Sequence, residues 1–301
     1  MKFKITFLLM LFLIASSDLA LASSPECPKW TKWERTLTSG RQVTLWSYDQ
    51  WPSYMPEHNF TLQPQVVVLN GNDGKMPCQT QSGTTTNIGS YASAYWRQAI
   101  MIDFDYFGDG QRNTFELAAA HVVATIKDLI ADGYLRNTFY LMSGSSGTAV
   151  LSAALDFHPD FVDHVERAIF VSGPFTDIYR MFVYNTAVQN LMDENNITHI
   201  KSLDYNLSYI PDRSNQWFTP LMNRDGLRFV VAEDDYIFCH PDDCYITGTL
   251  YEEFLKWVKH ATNDHHTQSS LENAGYLQVY PTGGHDLFET RTELFHFAFG
   301  S

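Results

Sequence analysis

From Gln65 onward, short apolar runs alternate with segments of helical spacing, and that alternation narrows the possible folds more than any other feature. Pro64 introduces Gln65-Val66-Val67-Val68-Leu69, which stops at Asn70-Gly71. A run without polar alternation suits a strand covered on both faces. Ala99 to Asp103 repeats the pattern. Phe115, Ala118, Ala119, Val122, Ile126, Leu129 and Ile130 then recur at three- and four-residue steps, with Gly133 placed as a C-cap. The spacing next predicts a strand over 138–142, a helix over 148–157 ended by His158-Pro159, and strands over 167–171 and 227–231. A helix over 250–259, a strand over 276–280 and a last helix over 287–299 complete the series. Repeated strand–helix–strand units predict an α/β fold, a mostly parallel sheet with helices on both faces. Ahead of them, Trp33–Leu37 and Gln42–Tyr48 flank Ser39-Gly40 and predict an antiparallel edge hairpin. The alternation lapses at about 174–223 into aromatic-rich, irregular sequence. An insertion there sits above the carboxyl ends of the strands, where open α/β sheets bind ligands, and reads as a cap.

The first residues read as an address. Lys2 and Lys4 precede an apolar run from Ile5 to Ala15, and Ala20-Leu21-Ala22 offers small residues for cleavage after Ala22. Residues 1–22 are therefore expected to be a secretory signal peptide, with an apolar part too short to span a membrane. Residues 23–301 form a single domain in this reading, exported to the extracellular space or a secretory lumen and without a stable membrane anchor. Twenty basic against 34 acidic side chains, a formal net charge of −14, leave no broad basic patch for a nucleic acid. An aromatic content of 15% with only 18% charged residues excludes a disordered chain.

Export also frames the cysteines. Cys27, Cys78, Cys239 and Cys244 all lie after residue 22, and an even count in an oxidising compartment predicts two disulfides, with three pairings open. The local pair Cys239–Cys244 closes a small loop and leaves Cys27–Cys78 to tie down the N-terminus. The crowding of Cys239, His240, Asp242, Asp243 and Cys244 raises zinc as a rival, but no second ligand pair follows at zinc spacing, so no metal is expected. Three glycosylation sequons begin at Asn59, Asn196 and Asn206.

The segment Phe139-Tyr140-Leu141-Met142-Ser143-Gly144-Ser145-Ser146-Gly147-Thr148 carries the strongest chemical signal. An apolar strand runs into a serine among small residues, and an apolar helix leaves at once. A nucleophilic serine on such a turn needs small neighbours two before and two after, because strand and helix backbones crowd there. Ser145 meets that condition with Ser143 and Gly147. Ser146 would set the β-branched Thr148 at the crowded position, so Ser145 is the better nucleophile. The segment resembles the elbow of the α/β-hydrolase superfamily, usually G-x-S-x-G, with Ser143 standing for the first glycine.

That resemblance implies an acid and then a histidine, each after a later strand. Leu227 to Val231 breaks into Glu233-Asp234-Asp235, and Asp235 matches the superfamily's acid; Asp177 is the alternative acid. His285, in Gly283-Gly284-His285-Asp286, matches the general base. Asn70-Gly71-Asn72 stands where relatives often have His-Gly, and the backbone N–H groups of Asn72 and Ser146 match the oxyanion hole. The resemblance implies a serine hydrolase, without a cofactor, acting on a small ester. A short-peptide peptidase and a non-catalytic binding protein on the same scaffold are the alternatives. It fixes neither the natural substrate nor the oligomeric state.

Overall fold

The structure, a computed structural model, describes residues 20–21, 27, 29–48, 64–71, 74, 82–104, 106, 115–173, 215–235, 239–240, 243–244, 249–263 and 265–300. Among the described residues, nine strands form the main sheet: β1 (Ala20–Leu21), β2 (Trp30–Thr36), β3 (Gln42–Tyr48), β4 (Gln65–Leu69), β5 (Gln98–Ile102), β6 (Phe139–Gly144), β7 (Val165–Val171), β8 (Leu227–Ala232) and, last in the chain, Leu277–Tyr280. The order across it is β1-β2-β3-β5-β4-β6-β7-β8 and then Leu277–Tyr280. The pairs from β5 through to the last strand are parallel, and β1, β2 and β3 add an antiparallel edge.

The unbroken apolar runs have a direct structural reason. Successive side chains of a strand point to opposite faces. In β4, Val67 and Leu69 enter one core and Val66 and Val68 the other; in β5, Ile100 and Ile102 face one side and Ala99 and Met101 the other. Helices α2 (Phe115–Ala131) and α3 (Ser146–Phe157) cover the first face. The helix α1 (Ser82–Ala94) and the C-terminal helix Leu294–Phe299 cover the second, through Ile88, Ala92, Phe295 and Phe299. Gln65, a polar residue at the start of β4, is fully buried and satisfied: it donates to Tyr134 O at 3.3 Å and accepts from Arg136 N at 2.7 Å.

Several elements differ from the sequence expectation, among them three helices. The helix α1 has no apolar period to announce it, since Ser82, Gly83, three threonines and Asn87 open it. Tertiary packing carries it instead, with Gly89 pressed against the Tyr48 ring, where a Cβ would sit 2.2 Å from Cδ2. A short helix, Gln268–Asn273, is capped by reciprocal bonds between Thr267 and Ser270. The expected single helix over 287–299 is two pieces, Leu287–Thr290 and Leu294–Phe299. Arg291 leaves helical backbone at φ −132, ψ 73, and its Nε donates to Thr282 O at 2.9 Å.

Of the interval 174–223, residues 215–223 are described. They hold the helix Phe218–Asn223, and Trp217, Phe218 and Leu221 are buried in the core beside Phe229 and Trp257. Cys27 is buried and disulfide-bonded. Cys239 and Cys244 face each other across the two-residue strands Cys239–His240 and Asp243–Cys244. Asn59, Asn196, Asn206, Cys78 and residues 1–19 lie outside the described residues. Among those described, no helix is long and apolar enough to cross a membrane.

Candidate active site

The central parallel strands end side by side, and each end delivers one candidate group. β6 stops at Gly144 and α3 starts at Ser146, so Ser145 alone makes the turn. Its backbone adopts φ 51, ψ −128, a region that costs a non-glycine residue about 1–3 kcal/mol. Ser145 N donates to Val171 O at 3.2 Å, and its own carbonyl accepts from Thr148 N at 2.9 Å. The turn is thus fixed to both the neighbouring strand and the first turn of α3, which is how the strained conformation persists.

The crowding expected around such a turn is visible atom by atom. A Cβ on Gly147 would lie 2.4 Å from Leu69 O and 2.7 Å from Asn70 O, so α3 rests against the end of β4. A Cβ on Gly71 would lie 2.8 Å from Ser145 Cβ, which sets the backbone after β4 directly against the candidate nucleophile. Gly144 touches the Phe288 ring, where a Cβ would lie 2.4 Å from Cε2. Ser143, in place of the usual glycine, is fully buried; its hydroxyl donates to Ile169 O at 3.2 Å and lies 3.3 Å from Thr148 Oγ1. The extra side chain is therefore both accommodated and hydrogen-bonded.

These contacts give a first prediction. Gly147→Ala drives its Cβ into backbone oxygens, which cannot rotate away, and should destabilise the fold by about 3 kcal/mol or more. Gly133→Ala meets nothing within 4 Å and carries only the strain of its φ of 79, about 1–2 kcal/mol. Denaturant midpoints of the two variants should rank in that order, and an equal shift would contradict the packing.

The loop after β4 closes as a tight turn in which Gly74 N donates to Gly71 O at 3.1 Å. Tyr106 backs it: its ring fills the space a Gly74 side chain would need, and its hydroxyl donates to Asn70 O at 3.1 Å. Asn72 lies outside the described residues, as does Asp177. Ser146 opens α3 and is fully buried.

Beyond β8, Asp235 is 1% exposed, and its two carboxylate oxygens lie 3.2 and 3.1 Å from His285 Nδ1. Nδ1–H donating to a buried carboxylate leaves Nε2 with its lone pair. Nε2 is itself buried and has no hydrogen-bond partner among the described residues. Neither Nε2 nor Ser145 Oγ bonds to the other, a loose arrangement common in ligand-free nucleophile–base pairs. Tyr280, at the end of its strand, is held protonated: burial, and then Glu293, pushes its hydroxyl up to about 12. It cannot serve as a base at neutral pH.

The segment between the last strand and the last helices is braced at several points. Arg291 reaches back to Thr282, Thr290 Oγ1 donates to Asp286 O at 3.0 Å, and Asp234 accepts from Gly283 N and Gly284 N at 3.3 and 2.8 Å. The sequence carries no sign of the backbone groups that Asp234 and Tyr106 hold. The acidic run carried a signal, three carboxylates at one strand end, without saying what the middle one holds. No group of three or more metal-ligating side chains occurs among the described residues.

With that geometry in view, solved structures provide the comparison. The chain is similar to the fluorophosphonate-binding serine hydrolase F of Staphylococcus aureus, with 14% identity over 90% of this chain and 98% of that one, at a TM-score of 0.54. A ferulic acid esterase matches at 11% identity over 90% of this chain and 96% of its own, with a TM-score of 0.52. Dipeptidyl peptidase 4 of Porphyromonas gingivalis matches at 12% identity over 88% of this chain and 34% of its own, with a TM-score of 0.51. No protein-family model and no curated protein matches the sequence. The fold is that of the α/β-hydrolases.

Proposed function

We propose that the chain is an exported serine hydrolase that cleaves a small carboxylic ester through an acyl-enzyme. The observation that carries this reading is the buried Asp235–His285 pair, whose free Nε2 and partnered Nδ1 are what a general base needs. Ser145 Oγ attacks the ester carbonyl and His285 Nε2 takes its proton. The imidazolium that forms is stabilised by Asp235. The backbone N–H groups of Ser146 and Asn72 hold the oxyanion, and His285 returns the proton to the leaving alkoxide. Water, deprotonated by the same histidine, then releases the acid. Asp177 is the alternative acid.

Export is part of the proposal: cleavage after Ala22 would remove β1 and leave eight strands in the sheet. Disulfides Cys27–Cys78 and Cys239–Cys244 and glycans on Asn59, Asn196 and Asn206 belong to the same compartment. The backbone supports the second pairing, because directly opposed residues of an antiparallel pair lie within disulfide range.

The likeness to a dipeptidyl peptidase favours one second reading, hydrolysis of short peptides by the same residues. Nitrophenyl esters of acetate, butyrate and octanoate, set beside dipeptide nitroanilides, decide between them. Turnover of the esters with the anilides at least a hundredfold slower supports the ester reading. The reverse ranking supports the peptidase, and no turnover of either supports a non-catalytic binding scaffold.

A further inference from the structure

We infer that Asp234 is a positioning residue for His285, acting on the backbone of its loop while Asp235 acts on its ring; the inference rests on the hydrolase reading above. Asp234 and Asp235 are consecutive, yet their carboxylates hold different things. Each oxygen of Asp234 accepts one backbone N–H, from Gly283 and from Gly284, and these are the two residues directly before His285. Amides donating to an ionised carboxylate form stronger bonds than neutral pairs do. The two glycines are where the loop most needs such restraint. Gly283 lies at φ 144 and Gly284 at φ 59, and both positions are free of the steric limits that a side chain would impose.

The other braces reach the loop from the C-terminal helices. Thr282 is held by Arg291, and Asp286 O accepts from Thr290 and from the N–H groups of Glu289 and Thr290. Thr290 Oγ1 also lies 3.3 Å from Gly283 O, again from the C-terminal side. Among the described residues, only Asp234 ties the Gly283 and Gly284 amides to the β8 end that also carries Asp235. Loss of the tie frees the two glycines to rotate and carries the His285 backbone away from Asp235 and Ser145. Misplacement of a catalytic group by about 1 Å can cost about a hundredfold in rate.

The test compares the purified wild type with Asp234→Ala and Asp234→Asn. Four quantities are read: the rate of covalent reaction with a fluorophosphonate, kcat and KM on nitrophenyl acetate, amide exchange of the 283–284 segment, and the denaturation midpoint. We expect Asp234→Ala to lower both the labelling rate and kcat by about ten- to a hundredfold with KM little changed. Exchange of the two glycine amides should accelerate while the midpoint holds. Asp234→Asn keeps one acceptor oxygen and should fall between the other two. A folded Asp234→Ala variant that labels at the wild-type rate overturns the inference alone. So does a loss confined to KM, or an asparagine variant as slow as the alanine one. A wild type that neither labels nor turns over ester fails the hydrolase reading, and the inference falls with it.

Discussion

Ser145→Ala is expected to abolish covalent labelling by a fluorophosphonate and to lower ester turnover by roughly ten-thousandfold or more, the scale on which acyl-transfer enzymes depend on their nucleophile. The variant changes one oxygen. Alanine keeps the same Cβ at the same φ of 51, so the strain of the turn stays and the stability should barely move. Ser145→Gly separates the two properties. It removes the hydroxyl and also the strain, so it should be as inactive as the alanine variant yet more stable, by an amount within the 1–3 kcal/mol such a conformation costs. Stored strain at this one residue would then be measurable as a gain in the dead enzyme. Mass spectrometry of the wild-type adduct completes the experiment. An adduct on Ser146, or labelling that survives in Ser145→Ala and vanishes in Ser146→Ala, would move the nucleophile by one residue and refute the steric argument built on Thr148.

The same residue shows why the strand, turn and helix of the candidate site were legible in the sequence. The elbow is a local structure: strand, strained turn and helix are contiguous, and the need for small neighbours falls on Ser143 and Gly147, which are close in the chain. The central strands were equally legible, because burial on both faces leaves few polar positions, and a run such as Val66-Val67-Val68-Leu69 then has few other readings. The helix α1 was not legible. Its residues are poor helix formers with no apolar stripe, and what holds it is distant in sequence: Tyr48 against Gly89, and Thr84 and Asn87 bonded to Glu289 and to Phe288 O. Those last two bonds also join α1 to the helix that follows His285. Asp234 was illegible for a related reason. Its partners are backbone N–H groups about fifty residues away, and a backbone donor leaves no trace in residue identity. Ser143 shows the converse. It stands where the pattern usually has glycine, yet its hydroxyl is bonded to Ile169 O and lies against Thr148, while the nearby glycine whose Cβ would meet fixed backbone oxygens is Gly147, against Leu69 O and Asn70 O.

The second large effect is expected from Asp235→Asn, which should lower kcat by about ten-thousandfold with KM nearly unchanged. The substitution preserves shape, so the variant should fold, and it relieves the burial of a charge that is 1% exposed. What it changes is the direction of one hydrogen bond. The carboxylate can only accept, and so with Oδ1 and Oδ2 at 3.2 and 3.1 Å from Nδ1 it keeps the proton on that nitrogen and leaves Nε2 able to take one from Ser145. An asparagine can turn its amide nitrogen toward Nδ1 and donate. The proton then resides on Nε2, and the base is blocked at the atom that must act. The imidazolium formed during attack also loses its buried counter-charge, so the transition state suffers while substrate binding does not. This pattern separates Asp235 from Asp177 as the acid. If Asp235→Asn retains more than about a tenth of the wild-type kcat while Asp177→Asn loses nearly all of it, the contact at Nδ1 is structural and the alternative acid is the working one.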